Sequence, residues 1–190
     1  MDKHKERTVI SRQRGVVVWL TGRPGSGKST LAEGLETRLL EMKKLAYILD
    51  GDVLRKGLNS DLGFSEADRN ENIRRVAEVA VMLKDASVIT IVAFISPFRK
   101  MREFARNRAG KDFFIEVFVK ASIETCIERD PKGMYKKAII DQIKDFTGIS
   151  SPYEEPESPD LTIDTEKLPV KESIDLLLST VLKYIDKLAE

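Results

Sequence analysis

Short runs of apolar, β-branched residues alternate with longer stretches in which apolar positions recur every three or four residues. The first run, "GVVVWLTG" (15–22), is continuously apolar, as a strand buried on both faces must be. Leu31, Leu35 and Leu39 then follow at helical spacing, predicting a helix from about Ser29 to Met42. "LAYILDGD" (45–52) reads as a second strand and ends in two aspartates. "SEADRNENIRRVAEVAVMLKDA" (65–86) reads as a long helix, with Ser65 as N-cap and Asp68 completing a loose capping box. "VITIVAFIS" (88–96) is a third strand stopped by Pro97, because proline cannot join a central ladder. A basic helix (98–110), a strand "FFIEVFV" (113–119), a short helix "SIETCIER" (122–129), a strand "DLTIDT" (160–165) and an amphipathic closing helix (170–188) complete the pattern. Strands alternating with helices predict a doubly wound, five-stranded parallel sheet with flanking helices, an α/β fold. Residues 1–14 read as a flexible polar tail, and 15–190 as a single domain. The segment 130–159 holds Pro131, Pro152, Pro156 and Pro159, and its length predicts a lid.

Composition narrows the class. With 190 residues, 42% hydrophobic and 33% charged, the chain suits one globular domain. A formal net charge of +1 supplies no global field for nucleic acid or a membrane surface, so an anionic ligand needs a local site. The N-terminus lacks the apolar core of a secretory signal. The longest apolar run, Val88 to Ile95 apart from Thr90, is far short of the roughly 20 residues of a membrane span. A single cysteine, Cys126, forbids an internal disulfide, fits a cytoplasmic location and, on its apolar-periodic stretch, is expected to pack. His4 is the sole histidine, so histidine-based metal or nucleophile chemistry is excluded.

The strongest motif is "GRPGSGKST" (22–30), comprising Gly22, Arg23, Pro24, Gly25, Ser26, Gly27, Lys28, Ser29 and Thr30. It fits G-x-x-x-x-G-K-[ST] between a strand and a helix, the signature of a P-loop NTPase. Glycines let backbone N–H groups turn inward on an anion, and the helix N-terminus adds about half a positive charge. Lys28 supplies a point charge for the β- and γ-phosphates, and the Ser29 hydroxyl can ligate Mg²⁺. The motif implies a nucleoside triphosphate without naming the reaction.

Three absences point toward a small-molecule kinase: no N-K-x-D motif, no room for a motor's partner domains, and no aspartate closing the third strand. The metal must then be supported elsewhere. Asp50 and Asp52 stand at the carboxyl end of a strand, on the rim where ligands of open α/β sheets bind; alone, "DGD" reads equally as an acidic turn. Arg55, Arg69, Arg74 and Arg75 offer planar forks for an oxyanion, with Asn72 at helical spacing; each arginine also fits a solvated helix face. Phe64 and Phe146 lie in polar loops, where they either stack on a flat ligand or form a small satellite core.

Taken together, "LDGD", "GLNSDLGFSEADRNENIRR", "FISPFR", "RDPKGMYKKA" and "IKDFTGISSPYEEP" resemble the adenylylsulfate kinases, in order, from about Gly15 to Thr165. The resemblance implies transfer of the ATP γ-phosphoryl to the 3′-hydroxyl of adenylylsulfate, with Mg²⁺, in a cytoplasmic homodimer that binds neither nucleic acid nor membrane. It implies that Phe64 and Phe146 sandwich the acceptor adenine, that Arg55 and Arg69 hold its anhydride, and that Asn72 adds a polar contact. It also implies that backbone at Ile95 reads the base edge, and that Lys136 neutralises charge between the substrates. Asp52 would hold Mg²⁺ through water or take the hydroxyl proton, with Ser29 and Asp50 completing the metal set. Arg129 would lie against the ATP adenine. Ser96 matches a serine described in the family as a phosphoserine intermediate; direct in-line transfer, with Ser96 as an acceptor contact, is expected instead. A P-loop kinase of another anionic small molecule or nucleotide is the alternative. Val53, Lys56 and Ile139 depart from the family pattern, standing where Asn, a His or aromatic, and Arg are common.

Overall fold

The computed structural model describes residues 3–187. Five strands, β1 (Val16–Thr21), β2 (Ala46–Asp50), β3 (Ile89–Ala93), β4 (Phe114–Lys120) and β5 (Leu161–Asp164), form one sheet in the order β2-β3-β1-β4-β5. All four pairings are parallel, and Val18 of β1 aligns with Ile91 on one side and Ile115 on the other. The doubly wound parallel architecture is therefore as the alternation of patterns predicts.

The central strand β1 is buried at every position because helices cover both faces. Val16, Val18 and Leu20 face α2 (Lys28–Glu41) and α8 (Val170–Lys187), meeting Leu31, Leu35, Leu39, Leu177 and Val181. Val17 and Trp19 face α4 (Glu66–Asp85) and α5 (Arg99–Ala109), meeting Ile73, Val76, Ala80, Met101 and Ala105. Trp19 is fully buried and stacks on Phe114 with ring centroids 5.7 Å apart.

Several boundaries move, each for a local reason. The second strand ends at Asp50 rather than Asp52, because the Asp50 carboxylate accepts the Asp52 N–H at 2.8 Å and caps the short helix α3 (Gly51–Leu54). The third strand ends at Ala93, and Ser96 beyond it adopts a positive φ of 39°. Ser65 caps α4 as expected, accepting from Asp68 N. Within the polar N-terminal stretch, Lys3–Ser11 form α1, whose Arg7 donates to the Asp85 carbonyl. Gln13 is buried and donates to the carbonyls of Leu45 and Ser87. His4 lies in α1, and its side chain is outside the described set, as are residues 188–190, the first of which falls in the expected closing helix.

The proline-rich segment is not wholly irregular. After α6 (Ile123–Arg129), residues Met134–Ile139 form α7. Asp130 caps it, its two carboxylate oxygens accepting from Tyr135 N and Lys136 N at 3.0 and 3.1 Å. Cys126, Tyr135, Ala138 and Phe146 form a third, smaller core with Ala121. Cys126 is thus packed, as its apolar stretch predicts.

Candidate active site

A single cleft of about 1320 Å³ opens along the carboxyl ends of the strands. It exceeds the roughly 300–1,000 Å³ typical for one small ligand. The phosphate loop, the tip of β2, α3, α4, the segment after β3, and both α6 and α7 contribute to its wall.

The phosphate loop is shaped by close approach. A Cβ at Gly22 would sit 2.4 Å from the Val119 carbonyl oxygen, so only glycine fits. Gly27 caps α2 at φ 103°, a left-handed geometry that side chains resist. Pro24, Gly25, Gly27, Lys28, Ser29 and Thr30 line the cleft. Lys28 folds back on its own loop and donates to the carbonyls of Gly22 (2.9 Å) and Arg23 (2.8 Å). Burial lowers its pKa from 10.5 to about 8, against the opposing pull of Cys126 and Asp50. Gly22 and Ser26 form the buried base of the loop. The Arg23 side chain departs from its expected ligand role. It leaves the cleft to pair with Glu155 at 3.0 Å and to lie over the Tyr153 ring.

Ser29, Asp50 and Asp52 converge. The Ser29 hydroxyl donates to Asp50 Oδ2 at 3.0 Å, and Asp52 forms an ion pair with Lys132. The donors are hard oxygens on exposed or half-buried residues beside the phosphate loop. Mg²⁺ is bound in just this way, by one or two carboxylates plus substrate phosphates, so these residues fit it.

Further along the cleft, Arg55, Phe64, Arg69, Asn72, Ile95, Ser96 and Phe146 all line the wall, as the sequence reading places them. Phe64 is half exposed beneath the Arg55 guanidinium, which sits 4.3 Å from its ring centre. Arg55 also donates to the carbonyls of Leu62 and Gly63, both at 3.1 Å. Arg69 donates through Nε to the Phe64 carbonyl (2.8 Å), through Nη1 to Thr147 Oγ1 (3.1 Å), and through Nη2 to the Asp145 carbonyl. It thereby holds the backbone beside both aromatic rings. Asn72 accepts from Asn59 at 2.7 Å, and the Ile95 carbonyl accepts from the Thr21 hydroxyl at 2.7 Å. Arg129 reaches Thr165 through both its hydroxyl (3.0 Å) and its carbonyl (2.9 Å).

One candidate lies off the cleft, and three others are engaged within the fold. The exposed Lys136 lies off the cleft on α7, and Lys132, in the turn before α7, reaches Asp52 instead. Lys132 stands in "RDPKGMYKKA", but choosing among its lysines requires knowing where the turn ends and α7 begins. The Ser96 hydroxyl is buried, accepting from Trp19 Nε1 (2.9 Å) and donating to the Phe94 carbonyl (3.3 Å). Arg74 and Arg75 pair with Glu71, and Arg75 also clasps Asp61 and the Leu58 carbonyl, so Arg75 braces the 58–62 loop.

A family model described as adenylylsulphate kinase matches residues 14–164. The chain belongs to the adenylylsulfate kinase family. The adenylyl-sulfate kinase of Clostridium acetobutylicum is 54% identical over 96% of this chain and 90% of its own. That of Bacteroides thetaiotaomicron is 50% identical over 98% and 93%. A structure of the Mycobacterium tuberculosis APS kinase CysC, in complex with AMPPNP and APS, has a TM-score of 0.85 at 45% identity, covering 89% of this chain and 98% of that one. A gluconokinase from Sinorhizobium meliloti, at 16% identity and TM-score 0.60, shares the fold alone. Of the three departures from the family pattern, Val53 and Lys56 line the cleft, while Ile139 is exposed on α7 away from it. Among the described residues no helix is long and apolar enough to cross a membrane.

Proposed function

We propose that the cleft transfers the γ-phosphoryl group of ATP to the 3′-hydroxyl of adenylylsulfate, giving ADP and 3′-phosphoadenylylsulfate. One observation carries this reading. The phosphate loop and a wall bearing an exposed aromatic ring and two arginines share one cleft large enough for two nucleotides. The donor triphosphate lies on the loop, where backbone N–H groups and the α2 N-terminus bind anionic oxygens. Lys28 exchanges its two carbonyl partners for the β- and γ-phosphates. Ser29, Asp50 and Asp52 would hold Mg²⁺, which would supply charge stabilisation to the transferring phosphoryl group. Asp52, loosened from Lys132, accepts the 3′-hydroxyl proton or holds the metal through water. Arg55 and Arg69 face the acceptor's anhydride, and Phe64 and Phe146 its base. Catalysis is positioning plus charge stabilisation, so no covalent carrier is required.

Incubation with ATP, Mg²⁺ and adenylylsulfate, omitting each in turn, tests the reading. ADP forms only with all three; equal release with a sugar acid or another nucleotide would replace this acceptor. The family's homodimer and a cytoplasmic location belong to the same reading, and a single-subunit mass in solution would remove the dimer.

Two side chains check the assignment. Phe64→Ala removes a base-stacking surface worth about 1–3 kcal/mol and raises the acceptor KM by roughly 5–150-fold, with ATP KM unchanged. An unchanged acceptor KM would take Phe64 out of the site. Ser96→Ala keeps turnover within about tenfold, since its hydroxyl faces Trp19 and not the cleft chemistry. It costs about 1–3 kcal/mol of stability by orphaning the buried indole N–H. A turnover loss of about 10³-fold with the fold intact would restore a covalent role.

A further inference from the structure

Tyr135 lines the cleft at its buried edge and touches an element of each half of it. It is 1% exposed on α7. Its hydroxyl donates to the carbonyl of Pro24, in the phosphate loop, at 3.0 Å. Its ring meets Phe146 edge-on, with centroids 4.9 Å apart and planes at 79°. Burial pushes the phenol well above its ordinary pKa, so the donor proton stays in place through the working pH range. On the far side of Phe146, the flanking Asp145 carbonyl and Thr147 hydroxyl are held by Arg69, which also binds the carbonyl of Phe64. An unbroken set of packed and hydrogen-bonded groups therefore runs from the ATP loop to the acceptor's aromatic wall. The segment that carries it is compact: α7 is short, it starts from a left-handed Gly133 under the Asp130 cap, and Lys132 beside it is held to Asp52.

The geometry points to Tyr135 as a positioning residue that couples the two substrate sites. A loop shaped by bound triphosphate fixes Pro24 and, through Tyr135, fixes Phe146 against the incoming base; occupation of the acceptor site returns the effect. Such coupling is reciprocal and typically amounts to about 5–150-fold in affinity. The inference rests on the proposed assignment of Phe146 to the acceptor site.

Tyr135→Phe isolates the link, because it keeps the ring and its edge contact and deletes only the hydroxyl. Calorimetric titration gives the dissociation constants of a non-hydrolysable ATP analogue and of adenylylsulfate, each alone and each with the other saturating. The wild-type enzyme binds the second ligand at least about fivefold more tightly than the first-bound reference. In Tyr135→Phe the ratio falls to within about twofold of one, while each ligand alone binds within about threefold of wild type. Ile143→Val, which trims the same small core away from the hydroxyl, retains the coupling. If Tyr135→Phe does not fold, Phe146→Leu takes its place: it leaves the Pro24 bond and removes the edge contact, so adenylylsulfate alone binds more weakly, the ATP analogue alone binds as in wild type, and the coupling ratio still falls to about one. Full coupling in Tyr135→Phe, or none in the wild type, overturns the inference while leaving the kinase reading intact. Failure of adenylylsulfate to bind the wild type at all would remove both.

Discussion

Replacing Lys28 with methionine lowers turnover by about 10²–10³-fold, the usual cost of removing one preorganised charge from a transition state. Its pH behaviour makes the test specific. Burial holds the unliganded ammonium at a pKa of about 8, so the proton is lost just above neutrality. A bound triphosphate favours the charged form. The dissociation constant of a non-hydrolysable ATP analogue therefore rises as pH passes about 8, by up to about tenfold per unit. Lys28→Met binds weakly and shows no such slope from roughly pH 7.5 to 9.5. Stability moves the other way. The unfolded chain keeps this proton up to 10.5 and the folded chain releases it near 8, so between those values the unfolded state binds more protons and the folded state gains as pH rises. The stability advantage of Lys28→Met over wild type consequently shrinks across that window. A wild-type analogue affinity that is flat with pH, or a variant that keeps the slope, would show that Lys28 does not meet the phosphates.

That prediction rests on residues whose placement is dictated locally. The phosphate loop is legible because one short string sets both its backbone, through Gly22 and Gly27, and its chemistry, through Lys28 and Ser29. The strands are legible because β1 is buried on both faces and must be apolar throughout. Elsewhere the decisive contacts are remote. α1 is held by an Arg7 bond to Asp85, 78 positions away, which no local pattern contains. α7 lies among prolines and starts from the Asp130 cap and Gly133, leaving Lys132 in the turn that faces Asp52 and Lys136 on the helix away from the cleft. Phe64 and Phe146 look alike in sequence, each in a polar loop. One is half exposed under a guanidinium, and the other is a member of the small core around Tyr135 that still lines the cleft. Phe146 packs in that core and lines the cleft at once. The arginines divide by partner rather than by spacing: Arg69 turns inward, while Glu71 and Asp61 draw Arg74 and Arg75 away.

The turn after β3 depends on an ion pair under it. Arg102 is 2% exposed and donates through Nε to Glu116 at 2.8 Å, through Nη1 to the Ser96 carbonyl at 2.7 Å, and through Nη2 to the Glu154 carbonyl at 2.8 Å. One guanidinium thus joins β4, the turn after β3 and the distal end of the lid segment. Glu116→Ala leaves that cation buried without its nearest counter-charge, a loss of about 3–5 kcal/mol. At about 2–4 °C per kcal/mol for a chain of this size, the melting temperature falls by about 6–20 °C. Arg102→Ala is expected to lose less stability, because Arg106, 3.4 Å from the other Glu116 oxygen, still balances the carboxylate. It instead frees the Ser96 and Glu154 carbonyls, so the acceptor KM rises while the ATP KM stays put. Urea unfolding of both variants, with steady-state kinetics on the folded fraction, separates the two effects. A Glu116→Ala enzyme within about 1 kcal/mol of wild type would mean that water or Asp160 already shields Arg102, and that the turn carrying Ile95 and Ser96 is held by its own backbone.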